Sequence, residues 1–280
     1  MGGRELLLAT CLLWAGPVMA QSVPRSTADS AVVSIDYCAD QYVLSLADRE
    51  QIAGLSPRAS QAFSYHRDRA LGLPIVDPSA EALLHAAPSL VVRFWGGNRR
   101  MVSMLDRAGI ETVNIVYGHD SATIFDNLTE VAAALDQAEA STSLVADQRR
   151  RIAALEAKPR LGLRALYLTP SGTTGGLGTD VDGMIRLAGL DNMAADLGYR
   201  GWRKISLEEL ILAPPDVFIG SFFDDRSVAR SSWSPARHPR LARLMAAVRT
   251  VAVPGRFLSC SGLFSVDAAE FIRAALDRPE

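Results

Sequence analysis

The sequence predicts an α/β protein of two similar lobes, each a parallel sheet flanked by helices, joined by one long helix. Three observations carry that expectation. The chain repeats one unit. Ser79, Glu81, Leu83, Leu84, Pro88, Leu90 and Val92 recur at a constant offset as Ser206, Glu208, Leu210, Ile211, Pro215, Val217 and Ile219. Short apolar runs alternate with helical stretches along the chain, the pattern of parallel sheets with helical crossovers. Between the two copies, Ala138 to Ala157 holds neither glycine nor proline. As a helix it would span about 30 Å, enough to bridge two lobes.

The elements follow in order. Ala31 to Ile35 is apolar and β-branched, which suits a buried parallel strand. Asp36 to Asp40 leads into a helical pattern ending at Leu46, and Ile52 to Leu55 is a second strand. Ser56 to Leu73 is irregular and polar. Asp77-Pro78 is read as the opening of a helix, because proline suits a first turn. Pro88 ends that helix, Leu90 to Phe94 is a strand, and Trp95 to Asn98 turns into a helix reaching Ala108. Thr112 to Val116 is a strand and Ser121 to Leu135 an amphipathic helix. The second half starts with the strand Arg164 to Leu168, a glycine-rich loop from Ser171 to Gly178, and a helix from Asp182 to Ala188. Ser206 with Glu209 is a capping-box pattern. Val217 to Ile219, Pro239 to Val248, Val251 to Val253 and Val266 to Leu276 complete the list as strand, helix, strand and helix. The organisation expected is residues 1–20 as a signal peptide, 21–136 as the first lobe, 137–158 as the connecting helix and 159–280 as the second lobe.

Composition narrows the function. The 280 residues are 49% hydrophobic, ample for a core, and the formal charge is -2 from 29 basic and 31 acidic side chains. Arginines are scattered among acids and form no basic stripe, so nucleic acid is not the expected partner. Arg4 precedes an apolar run from Leu6 to Val18, and Val18-Met19-Ala20 has the small-residue character of a cleavage site. This reads as a signal peptide, too short for a spanning helix, with cleavage after Ala20. Thr10 is a poor fit before a lipid-accepting Cys11. The mature chain is then expected to be soluble in an oxidising compartment, the bacterial periplasm. It would keep Cys38 and Cys260, either as a disulfide or as two buried thiols.

In open parallel sheets ligands bind beyond the carboxyl ends of the strands. The segments that follow the predicted strands therefore supply the candidates. They are Tyr37, Tyr65, His66, Trp95, Gly96, Gly97 and Tyr117 in the first half, with His119 beside them. In the second half they are Ser171, Thr173, Phe222, Phe223 and Arg256. Aromatic and glycine-rich linings suit a large, flat or greasy ligand with polar edges. No histidine cluster has zinc spacing, and the glycine loop lacks the P-loop lysine. Neither a resident metal nor a cofactor is expected. No nucleophile elbow or H-E-x-x-H occurs, so the reading is non-enzymatic.

The runs VVSIDYCADQYVLSLADREQIAGLS and FWGGN, with the paired units PSAEALLHAAPSLVV and ISLEELILAPPDVFI, resemble the periplasmic substrate-binding proteins of iron-siderophore and cobalamin ABC importers. The likeness covers nearly the whole mature chain. It implies a class III periplasmic binding protein fold, two Rossmann-like lobes on one helix, acting as a monomer that delivers a metal chelate to a membrane permease. It also implies that Glu81 and Glu208 are the glutamates that meet arginines of that permease. The cobalamin binder's own disulfide has no counterpart at Ala188-Gly189, so a bond between Cys38 and Cys260 would be a different one, possible across the lobes. The ligand expected is a ferric siderophore or cobalamin. The alternatives are haem, with Tyr65, His66, Tyr117 or His119 as axial donors, and a secreted enzyme using a cysteine.

Overall fold

The computed structural model describes residues 31–94, 99–221, 239–260 and 262–278. The signal-peptide region, the leader before Ala31, and Trp95, Gly96, Gly97, Phe222 and Phe223 lie outside the described residues.

The first lobe holds a parallel sheet of β1 (Val32–Ser34), β2 (Ile52–Gly54), β3 (Leu90–Phe94) and β4 (Glu111–Ile115), in the order β2-β1-β3-β4. The second holds β5 (Arg164–Tyr167), β7 (Asp191–Asn192), β9 (Val217–Gly220) and β10 (Arg249–Ala252), in the order β7-β5-β9-β10. Every neighbouring pair in both sheets is parallel. The two orders are equivalent, so the repetition seen in the sequence is a repetition of topology.

Side-chain alternation explains the layers. Val32 and Val92 enter one core of the first lobe, and Val33 and Val91 enter the other on the opposite face. In the second lobe Ala165, Tyr167, Val217 and Ile219 face one core, and Leu166 and Phe218 face the other. Both faces of each sheet are covered, which is why the strands read as continuous apolar runs.

The repeated helices are α3 (Ala80–Ala86) and α9 (Leu207–Leu212). Ser79 caps the first by accepting from the Ala82 N–H, and Ser206 caps the second by accepting from the Glu209 N–H. Pro78 therefore precedes the cap and is not in the first turn, which corrects the sequence expectation. The serine side chain satisfies an orphan N–H, and this fixes the start two residues later, at Ala80. Leu83 and Leu210, the equivalent positions, are 0% and 2% exposed. Leu83→Ala and Leu210→Ala are each expected to lower unfolding free energy by about 2–5 kcal/mol. Denaturant midpoints would check it, and a midpoint unchanged at either site would contradict the packing described.

The helix α6 (Ala138–Glu156) joins the halves, packing on α5 (Ser121–Ala134) of the first lobe and on α7 (Asp180–Leu187) and α12 (Ser265–Leu276) of the second. Arg151 of α6 bonds Asp267 and Glu270 of α12, holding the helix to the second lobe. The glycine-rich stretch is not simply a loop. β6 (Thr173–Gly175) pairs antiparallel with β8 (Trp202–Lys204), and Gly175 sits opposite Trp202. A Cβ on Gly176 would fall 2.2 Å from the Tyr199 carbonyl oxygen, so glycine there permits a close backbone approach. Glycines usually mark turns, and here they also make room for a ribbon.

Asp40 is a buried node between β1 and β2, on α1 (Tyr37–Leu46). It accepts from the Ser34 hydroxyl, the Ser56 N–H at 2.9 Å and the Ser56 hydroxyl at 2.6 Å. Burial pushes its carboxyl from 3.8 up to about 7, overcoming those donors. The folded chain thus keeps a proton that the unfolded chain releases. Stability from this group is complete below pH ~4 and falls as pH rises toward ~7. Asp40→Asn is expected to flatten that decline in a pH series of denaturant midpoints. The same slope in both proteins would refute it.

Candidate functional site

Segments that follow the carboxyl ends of the two sheets meet across the lobes. Bonds cross between the lobes at several places, two of them beside the strand ends. The first grows from β1. Asp36 caps α1, accepting from the Cys38 and Ala39 N–H groups at 3.1 and 2.9 Å, while its second oxygen accepts from the Phe94 N–H at 2.7 Å. One carboxylate thereby ties the ends of β1 and β3 together. Tyr37 then donates to the Ser259 carbonyl at 2.7 Å, and the Ser259 hydroxyl donates to the Phe63 carbonyl at 2.7 Å. Cys38 and Cys260 form a disulfide, with 5.3 Å between their Cα atoms and 222 residues between them in sequence. Both cysteines are buried.

The second set grows from β4. Tyr117 donates to the Asp180 carboxylate at 2.9 Å, and the Trp202 indole N–H donates to the Tyr117 oxygen at 3.2 Å. Trp202 also stands edge-on to Tyr167, with centroids 5.8 Å apart. Burial pushes the Asp180 carboxyl upward, against the hydrogen bond from Tyr117. Gly183, one turn along α7, leaves the His119 carbonyl 3.7 Å from where a Cβ would be.

Sheet order places these sets on either side of the central strands. In the first lobe β3 lies between β1 and β4, and in the second β9 lies between β5 and β10. Adjacent strands are about 4.8 Å apart. In sheet order the ends of β3 and β9 therefore fall between the two sets. Val116 and Trp202, beside Tyr117, and Phe63, beside Ser259, are half-exposed. Large apolar groups left open at one boundary mark a binding surface more than a solvated one.

The structure brings together some of the candidates and separates others. Tyr37 and Tyr117 lie in the two cross-lobe sets. Ser171 and Thr173 form a hydroxyl cluster with Thr169 just beyond β5, at 2.9 to 3.2 Å. Arg256 is exposed on α11 (Gly255–Leu258), its guanidinium 5.0 Å from the Phe257 ring centre. Tyr65 and His66 are drawn aside to the flank where α1, α6 and α12 meet. Tyr65 stacks on Phe264 at 3.9 Å and donates to Asp267 at 3.0 Å. His66 bonds the Ser45 hydroxyl at 2.9 Å, and burial, then Arg69, lowers its pKa to about 4. It is a neutral imidazole at ordinary pH. His119 keeps a half-exposed ring, 3.5 Å from the Asp120 carboxylate. Glu81 and Glu208 are exposed at the same place, the second residue of α3 and of α9.

Sequence reasoning missed Phe63, Val116, Asp180 and Trp202. Trp202 alone carried a signal, a large aromatic inside the polar run Gly201 to Lys204. Among the described residues no group of three or more histidine, cysteine or acidic side chains is placed to hold a metal ion, and no helix is long and apolar enough to cross a membrane.

Two parallel-sheet lobes on one long helix, with contacts between the segments that follow their strands, define a solute-binding protein of the class III periplasmic type. The chain belongs to the periplasmic binding protein family, whose model matches residues 32–247. The family and its neighbours are substrate-binding proteins, not enzymes. Two cobalamin-binding proteins from strains of Halobacterium salinarum are 28% identical over 220 residues, 72% of this chain. The chain spans 56% of the length of these curated relatives. Among solved structures, HutB, a periplasmic haem-binding protein of Vibrio cholerae, superposes with a TM-score of 0.71 at 21% identity, covering 89% of this chain and 100% of its own. The haem-binding protein BhuT with two haems gives 0.70 at 24%, covering 88% and 98%. RhuT of Roseiflexus sp. RS-1 gives 0.67 at 23%, covering 88% and 99%. At these identities the likeness establishes the fold.

Proposed function

We propose that the chain captures a bulky metal chelate, a corrinoid or ferric siderophore, whole between its lobes and hands it to an ABC permease. The lobes in this reading are residues 21–136 and 159–280, with 137–158 as the connecting helix. The observation that carries the reading is that segments beyond the carboxyl ends of both sheets meet across the lobes, with half-exposed aromatic side chains beside them. Trp202, edge-on to Tyr167 and anchored through its N–H, offers a fixed ring to a flat ligand at little entropic cost. The Ser171–Thr173 hydroxyls and Arg256 would hold polar edges. The cobalamin-binding relatives favour a corrinoid within this class.

Thermal-shift screening of the mature protein against cobalamin, cobinamide, ferric hydroxamates, ferric catecholates and haem tests the reading. A ligand at 100 times its Kd stabilises the native form by about 2.7 kcal/mol through mass action. In a chain of this size that is a rise in melting temperature of roughly 5–10 °C. Trp202→Ala is expected to weaken binding by about tenfold, the value of one ordered aromatic stack. No shift with any of the five would remove the chelate reading.

Haem is the second reading, favoured by the half-exposed His119 ring, which lines a cavity with residues of α5, α6 and α7. A Soret band on haem titration that vanishes in His119→Ala would support it, and its absence would end it. The thiol enzyme has no support, since Cys38 and Cys260 are joined and leave no free thiol among the described residues.

A further inference from the structure

The cavity that His119 lines is built mostly of residues the chelate site does not use. It measures about 470 Å³ and is walled by α5, α6, α7 and the start of α12, so both lobes and the connecting helix contribute. Small-molecule sites run to roughly 300–1,000 Å³. Of the residues named above as candidates for the chelate or for haem, only His119 lines it. We propose that this cavity is a second ligand site, separate from the chelate's, that takes a small amphipathic carboxylate. The apolar chain lies against the helices, and the head meets Lys158, Arg160 and Arg186.

The first support is the division of the lining into apolar wall and spare donors. Phe125 of α5, Ile152 and Leu155 of α6, Leu187 of α7 and Val266 of α12 supply the wall. Two of the lining acids are already answered. Asp180 accepts from the Tyr117 hydroxyl at 2.9 Å, and Asp120 accepts from the Thr123 N–H and hydroxyl, both at 2.8 Å. The third, Glu156, is exposed. Each lining cation holds one carboxylate that stands off the lining. Lys158 meets Asp277 at 3.4 Å, Arg160 meets Asp191 at 2.6 Å, and the Arg186 Nε meets Asp182 at 3.0 Å. A guanidinium carries more N–H groups than one such contact uses. The terminal nitrogens of Arg186 bond no described residue, and Lys158 spends one donor on a long contact. What the lining has left to offer is chiefly charged donors, which suit a carboxylate.

The second support is Gly183. It lies inside α7, is exposed, and lines the cavity. Glycine within a helix is disfavoured against alanine, so its presence needs a reason. The other lining glycines have a backbone reason, since Gly189 and Gly262 take φ of 83° and 82°. Gly183 does not. Its backbone is helical, and an added Cβ would meet only the His119 carbonyl oxygen, at 3.7 Å, an ordinary contact. Backbone and packing both permit a side chain there. A long one would occupy the cavity, and glycine keeps that space open.

Calorimetric titration of the unliganded mature protein with decanoate, kept below its micelle-forming concentration, tests the site. Saturable binding at one site per chain is expected. Decylammonium, the same chain with a cationic head, should bind more weakly by about tenfold or more. Gly183→Leu fills the cavity with a better helix former. It should keep or raise the melting temperature and cost decanoate about tenfold or more in affinity. Lys158→Gln with Arg186→Gln changes two half-exposed heads and leaves the cavity open. It should weaken decanoate by a similar factor, and it carries the test if the leucine variant does not fold. No chelate enters the experiment, so failure here and failure of the chelate reading are separable. No saturable binding of decanoate, equal binding of decylammonium, or affinity undiminished in either folded variant would overturn the proposal.

Discussion

A mature chain carrying Cys38→Ser and Cys260→Ser is expected to lose about 2–5 kcal/mol of stability, a fall in melting temperature of roughly 5–15 °C. The cross-link joins residues 222 positions apart, closing most of the chain into one loop. Chain-entropy reasoning gives long loops the larger effect, because the unlinked unfolded chain has more freedom to regain. The native surroundings add to it. Both sulfurs are buried against the first-lobe core, which includes Cys38, Cys260, Leu263 and Phe264. A serine pair there would leave two hydroxyls short of partners, at about 1–3 kcal/mol each where none is found. Calorimetry of the oxidised wild type against the double variant reads the sum. Equal melting temperatures would mean that the thiols are not joined in the folded protein in solution.

The second large effect is expected on delivery. Glu81→Arg with Glu208→Arg should abolish uptake of the ligand by cells while its affinity for the purified protein stays within about twofold. Both glutamates are exposed, and each sits at the second position of a helix whose cap is a serine. A carboxylate there is favoured by the helix dipole by about 0.3–1 kcal/mol, which explains an acid near each start. It does not require both copies to keep the acid at one matched site facing solvent. Leu84 and Ile211, also equivalent, are 41% and 42% exposed beside them. A charged and apolar patch repeated on two lobes suits a partner with two matching halves. Both variants remote from the cleft should fold and bind. Loss of affinity in the double variant would assign the glutamates to the protein's own structure, and undiminished uptake would remove the docking role.

The repeat made the architecture legible before any coordinates. Ser79 and Ser206 with their following leucines reappear as capped helices with one buried leucine each, and the apolar runs reappear as strands covered on both faces. Local chemistry was sufficient for these, because a cap and an alternating core need only near neighbours. It failed at Pro78, where a proline signal competed with a serine cap and the cap prevailed. It also failed at Thr173 to Gly175, where the strand exists because Trp202 to Lys204, some thirty residues on, pairs with it. No window of sequence contains that partner.

The site divides in the same way. Following strands to their ends leads to Tyr37 and Tyr117, and both make hydrogen bonds across the lobes. What each does there was hidden, since Tyr37 spends its hydroxyl on Ser259 and Tyr117 on Asp180. Tyr65 and His66 were chosen by the same logic, yet Phe264, Asp267 and Ser45 hold them on the flank of α6. Sequence alone determined that this chain has two equivalent halves with strands and helices in a given order, because hydrophobic period and capping are written in adjacent residues. Tertiary structure alone decided which ends of those strands face each other, that Cys38 meets Cys260, and that Asp180 and Trp202 belong beside Tyr117. Those pairings join groups far apart in the chain, and only the packing of one lobe against the other brings them within bonding distance.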